Sequence, residues 1–345
     1  MGTGGGSTKL IAALRAAATP DLYRDRQDRR NHAVDDFFRL WPEQPGGGRD
    51  AGLAAFDAGD PERADAVWEA AGTDVAHHNL AVLNHMLALD ADHAVRVAAA
   101  KWRRSYRYWR AIWLSPTFWH LYAARLAGPG EPAATVRDTT SPSRQTAATV
   151  REQLPLVLAR IGARVALRWA ERRQSAEMVQ AHWQLVEYDG FPENVRAKAR
   201  LAGADAVIAL TRARLAHADG VARPSPRSGA SIGRQVRDKV APALDLLARA
   251  RVKGADPVED EVAEHMLRWT AAYVEATGNF VEGLRVLHMA RDLSPGYKVG
   301  SRIDSLIDDL KRQRTQAERP GTSIVDMMTS SDGLPYGVGW PPHLQ

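Results

Sequence analysis

Between Thr146 and Tyr188 apolar side chains recur every three or four residues, through Val150, Leu154, Val157, Ile161, Val165, Trp169, Ala176, Val179, Trp183 and Val186. That period places them on one face of a helix. The spacing predicts a single long helix over about 146–188, with Pro155 as a kink or as its true start. Nowhere does the chain alternate Val, Ile or Thr with polar residues over the length of a strand. A chain written this way buries helix against helix, so the fold class is all-α.

Helix starts are explicit elsewhere. Asp60-Pro61-Glu62 and Asp256-Pro257 each place a carboxylate at the cap and Pro at the first helical position, and Ser115-Pro116 does so with a hydroxyl. Glu259, three residues after Asp256, completes a capping-box pattern. Stretches rich in Gly, Pro and Ser separate the helical runs at 43–50, 127–143, 219–233 and after Arg319. They divide the chain into an N-terminal helical segment (1–47), helices with a Trp-rich member (48–127), a basic long-helix region (128–233), C-terminal helices (234–319) and an extended tail (320–345).

The net charge of +5 is uneven. Residues 1–127 carry 16 basic and 15 acidic groups, residues 128–256 carry 21 and 13, and residues 257–345 carry 9 and 13. The basic middle could attract an acidic partner or nucleic acid. With no cysteine, zinc-thiolate and iron–sulfur chemistry are excluded. No apolar run reaches the roughly 18 residues of a membrane helix, and Arg15 interrupts the only signal-like stretch, so the expectation is a cytoplasmic protein off the membrane. Lys9 lacks the preceding Gly of a phosphate loop, and Gly6 stands where myristoylation requires Ser or Thr.

Two stretches carry a common pattern. One has Gly52, then Gly59-Asp60 at a turn, then Ala64, Trp68 and Ala71, and leads into Asn79-Leu80-Ala81. The other has Gly278-Asn279-Phe280 at a turn, then Ala290, Leu293 and Pro295, although Leu267 stands at the usual Trp place and Thr270-Ala271 at the usual Leu-Gly. Both resemble the tetratricopeptide repeat, in which small residues let paired helices approach and bulky ones fill the gap between pairs. Gly59 and Gly278 are 219 residues apart, which is no multiple of the 34-residue period. The resemblance implies a helical-repeat solenoid with an irregular long-helix centre rather than a regular array. It also implies a non-catalytic scaffold or adaptor that binds a peptide or partner domain in a groove. His78-Asn79 and the helix that follows, before the Trp-rich segment, are similar to bacterial repeat proteins associated with Hsp70-type chaperones. The His-Pro-Asp tripeptide of a J-domain is absent, and of the lysine, asparagine and arginine clamp that holds chaperone tails, Asn79 matches.

Other clusters compete for a functional role. Trp102, Tyr106, Trp109 and Trp113 share one helix face and Arg103, Arg107 and Arg110 another, a segregation that fits an aromatic core better than base stacking. Arg160, Arg164, Arg168 and Arg172 recur every four residues beside the apolar series, and form the candidate surface for an acidic peptide or nucleic acid. His77, His78, His85 and His93 lack a third ligand at the spacing a helical zinc site uses, so no metal and no cofactor is expected. The Gly229–Gly233 stretch satisfies a nucleophile-elbow pattern without a preceding strand, and Asp35-Asp36-Phe37-Phe38 resembles an Asp-rich magnesium motif with Arg39 where a carboxylate belongs. An enzyme in a helical pocket stays as a further alternative. The tail combines Gly and Pro with apolar residues, among them Tyr336 and Trp340, which marks a docking segment.

Overall fold

The computed structural model describes residues 35–42, 50–127, 141–186, 191–249, 256–293 and 296–317. Among them are twelve α-helices and one 3₁₀ turn, and no strand. The fold is all-α. The described residues belong to two compact units, one running to Leu210 and including 245–249, the other comprising 211–244 and 256–317.

In the first unit, α1 (Ala51–Asp57), α2 (Pro61–Ala71), α3 (Asp74–Asp90), α4 (Val95–Leu114) and α5 (Pro116–Leu126) pack in sequence, each against the next. The written caps are used. Asp60 accepts from the Arg63 amide at 2.9 Å, and Ser115 Oγ accepts from the Phe118 amide at 3.2 Å while bonding Asp74 at 2.9 Å. Gly59 turns the chain with φ of 81°, a left-handed conformation that costs glycine nothing. A Cβ on Gly52 would overlap the Trp68 indole, so α1 and α2 approach as closely as the repeat pattern requires. Ala64 and Trp68 are buried there, but Ala71 is exposed.

The expected helix over 146–188 is two helices, α6 (Pro142–Glu171) and α7 (Ala176–Val186), packed on each other. The break is a left-handed closure: Arg173 has φ of 55°, its amide donates to the Ala170 carbonyl, and the Gln174 amide donates to the Trp169 carbonyl. Ser175 then caps the new helix through the Met178 amide at 3.3 Å. Without a glycine at the turn, the apolar period runs across it unmarked. Pro155 lies inside α6 rather than at its start. Having no N–H, it frees the Arg151 carbonyl, and Trp113 Nε1 donates to that oxygen at 3.0 Å. The helix α8 (Glu193–Ala222) matches the 30 residues of α6.

In the second unit, the 3₁₀ turn Pro226–Ser228 leads into α9 (Gly229–Arg249), and α10 (Asp256–Thr277), α11 (Phe280–Leu293) and α12 (Tyr297–Ala317) pack as a layered set. The resemblance placed a turn at Gly278, which has φ of 65°, and a packed alanine at Ala290, which is fully buried. Thr270 is also buried, its hydroxyl returned to the Met266 carbonyl. Pro295 and the tail with Tyr336 and Trp340 lie outside the described residues. No described helix is long and apolar enough to cross a membrane.

Candidate functional site

Asn79 and His78 lie side by side on α3, both fully buried, and both hold the backbone of the chain's own segment 35–42. The Asn79 carboxamide oxygen accepts from the Trp41 amide at 2.7 Å, and its NH₂ donates to the Trp41 carbonyl at 2.7 Å. A carboxamide used in this way pairs with a peptide unit as a neighbouring strand would. His78 Nε2 lies 2.5 Å from the Phe37 carbonyl and donates to it. Burial lowers the His78 pKa to about 4, so the ring is neutral at physiological pH and its one N–H is committed to Phe37.

Side chains fill an aromatic box under this clamp. The Trp41 indole stacks on His78 with ring centres 4.1 Å apart and on Phe118 at 5.3 Å, and the Arg125 guanidinium covers it at 4.9 Å. Phe37 lies against Trp109 at 5.6 Å, Trp119 at 5.6 Å and Tyr122 at 5.1 Å. A polar rim closes the site, with Arg125 Nε donating to Asp36 at 2.8 Å. Within the segment, the Trp41 indole N–H and the Arg39 amide both return to the Asp36 carbonyl, which fixes its turn. The Asp-rich stretch thus contributes an ion pair and two aromatic anchors. No family model, no curated protein and no solved structure matches the chain. The site stands on its geometry.

The arginine stripe is placed differently. Arg168 and Arg172 both pair with Asp92 in the α3–α4 turn, at 3.3 and 2.9 Å, and Trp169 Nε1 donates to the same carboxylate at 3.1 Å. Arg172 also donates to the Asp92 carbonyl at 3.0 Å. These two arginines fasten α6 to a turn of the first unit. Arg160 and Arg164 are half-buried, with burial opposing the charge of each and Asp205 favouring that of Arg160. In the second unit Asp219 plays a part like that of Asp92, accepting from Trp269 Nε1 at 2.8 Å beside His265 and Arg268.

The Trp-rich helix α4 buries Trp102, Tyr106 and Trp109 and exposes Arg103, Arg107 and Arg110. Tyr106 donates to the Leu158 carbonyl at 2.6 Å. Tyr108 donates to Glu69, and that bond, with Arg104 and Arg107 nearby, lowers the Glu69 pKa. The four histidines of α3 and the turn after it do not converge: His77 stacks on Tyr108, His78 stacks on Trp41, His85 meets Trp102 edge-on, and His93 is exposed. Among the described residues no three His, Asp or Glu side chains group as metal ligands would. Gly229–Gly233 opens α9 as helix. A Cβ on Gly229 would meet the Trp269 carbonyl, so that glycine serves close packing.

Proposed function

We propose that the chain is a non-catalytic, tetratricopeptide-like scaffold or adaptor of the cytoplasm, and that the α3–α5 groove recognises a short aromatic segment of the kind now seated there. The observation that carries the reading is the pair of Asn79 bonds to the backbone of Trp41. Backbone capture by a buried carboxamide accepts any sequence, and the aromatic box selects Phe and Trp. Segment 35–42 then acts as the resident ligand, which a partner bearing a similar segment would displace. A chaperone-associated partner and docking by Tyr336 and Trp340 of the tail belong to the same proposal. The nucleic-acid alternative is less supported, because Arg168 and Arg172 already share Asp92.

The test uses the full chain and a fluorescent peptide of residues 33–44. Trp41→Ala weakens the resident segment and is expected to bind the peptide, as read by anisotropy, whereas the parent protein excludes it. Adding Asn79→Ala to W41A should abolish capture. If W41A loses its cooperative melt, Asp36→Lys, which breaks only the rim pair with Arg125, takes its place. A folded variant that leaves the peptide free would overturn the reading.

A further inference from the structure

Segment 35–42 holds the groove through three features of its own sequence. The Phe37 ring enters the aromatic box, Trp41 four residues later stacks on His78, and Pro42 follows at once. The proline acts on the backbone. It disfavours helical geometry at the residue before it, so Trp41 stands outside the short helical turn 35–37, and its amide and carbonyl are open to Asn79. In a continuing helix the Trp41 amide would donate to the Phe37 carbonyl, which here accepts from His78 instead.

The same three features occur once more in the chain. Of its ten tryptophans, only Trp41 and Trp340 precede a proline, and each has an aromatic residue four positions earlier, Phe37 and Tyr336. Placed in register, Tyr336 falls at Phe37, Trp340 at Trp41 and Pro341 at Pro42. The backbone groups that His78 and Asn79 use then exist at Tyr336 and Trp340, and the Pro335 carbonyl stands where that of Asp36 accepts from the Trp41 indole. Three contacts are lost. Pro335 has no carboxylate for Arg125, Gly337 leaves the place of the buried Phe38 ring empty, and the Tyr336 hydroxyl would be buried where Phe37 has none. The second segment is thus a weaker ligand for the same surface, and segment 35–42 prevails while it is in place.

We propose that residues 336–341 are the second ligand of the α3–α5 groove and enter it in their own chain when segment 35–42 is drawn away, an inference that rests on reading the groove as a segment-binding site. Residues 318–335 join the end of α12 at Ala317 to Tyr336. Extended, that tether reaches about 60 Å, more than the roughly 45 Å of the 30-residue α6, and a tether presents its end at about 1 mM. A partner that removes segment 35–42 therefore does not leave the groove open. The tail covers the aromatic box and keeps the Asn79 carboxamide paired, and an external aromatic segment has to compete with both internal ones.

The test compares full-chain W41A with full-chain W41A/W340A, each titrated against the fluorescent peptide of residues 33–44. The double variant is expected to bind about tenfold more tightly, because a tail of about 0.1 mM affinity, tethered at about 1 mM, competes in the single variant alone. An unlabelled peptide of residues 333–344 should displace the fluorescent one from the double variant, and the same peptide carrying Trp340→Ala should not. Equal affinity of the two variants, or no displacement, would overturn the role of the tail and leave the groove reading standing. A folded double variant that binds neither peptide would overturn the groove reading and this inference with it. If W41A loses its cooperative melt, Asp36→Lys replaces it in both arms. In sedimentation W41A and W41A/W340A should have the same mass, and a W41A dimer that Trp340→Ala abolishes would overturn docking within one chain.

Discussion

Asn79→Ala isolates the clamp on segment 35–42. In the parent, two bonds of 2.7 Å satisfy the amide and the carbonyl of Trp41, with Asn79 fully buried. The truncation leaves both Trp41 groups without partners in a dry, aromatic site, and each buried group left unpaired costs about 1–3 kcal/mol. At about 1.5 kcal/mol for each of the two groups, in the lower half of that range, the loss is about 3 kcal/mol, against about 1 kcal/mol if the bonds were solvated and replaceable by water. At about 2–4 °C per kcal/mol for a unit of this size, the thermal midpoint should fall by about 6–12 °C. Native-state hydrogen exchange gives the local reading, because the Trp41 amide should exchange about a hundredfold faster, whether the whole unit or only the segment opens. Asn79→Asp separates the two bonds: the carboxylate still accepts from the Trp41 amide but faces the Trp41 carbonyl with no donor, so it should cost at least as much as alanine. A midpoint within 2 °C of the parent, together with a Trp41 amide slowed or unchanged, would refute the clamp.

Three further outcomes follow from the packing. Gly52→Ala places a methyl group into the Trp68 indole and should destabilise by about 2 kcal/mol in urea unfolding, since overpacking a close helix contact costs about 1–3 kcal/mol. Arg173→Gly should stabilise by about 1 kcal/mol in the same assay, because glycine removes the cost of the left-handed turn between α6 and α7. His78, His85 and His182 have folded pKa values lowered by burial to about 4, 3 and 3. The unfolded chain therefore binds more protons below its histidine pKa of about 6.5, so stability is complete above that pH and falls as pH drops toward 4. Each ring adds a slope of about 1.4 kcal/mol per pH unit in that window, so unfolding at a series of pH values should show a steep acid limb above the carboxylate range. His85→Leu, at a ring with no hydrogen bond, should remove about a third of the slope.

What the sequence displayed was local. Asp60 and Ser115 cap their helices because the information lies within four residues, and Gly52, Gly59 and Gly278 announce close approach or a left-handed turn because only glycine tolerates them cheaply. The division of the 146–188 pattern was hidden for the complementary reason. Arg173 is an ordinary helix former placed in a glycine conformation, and the apolar residues on both sides of it keep the helical period while α7 packs back on α6. Asn79 and His78 stood out from the repeat register, but their occupant is 38 and 41 residues away, in a stretch that the sequence marked as an apparent helix and nothing more. A short aromatic segment acquires meaning only from the surface that receives it.

The same logic sets what a partner at the groove must do. At the groove Asn79 holds the Trp41 backbone, His78 the Phe37 carbonyl and Arg125 the Asp36 carboxylate, so any partner must first displace what is there. A satisfied site contributes stability and yields it slowly, so a competing segment gains only the difference between its own bonds and those it replaces. The peptide of residues 33–44 should therefore raise the melting temperature of Trp41→Ala and leave that of the parent nearly unmoved, because a ligand stabilises only the state that binds it.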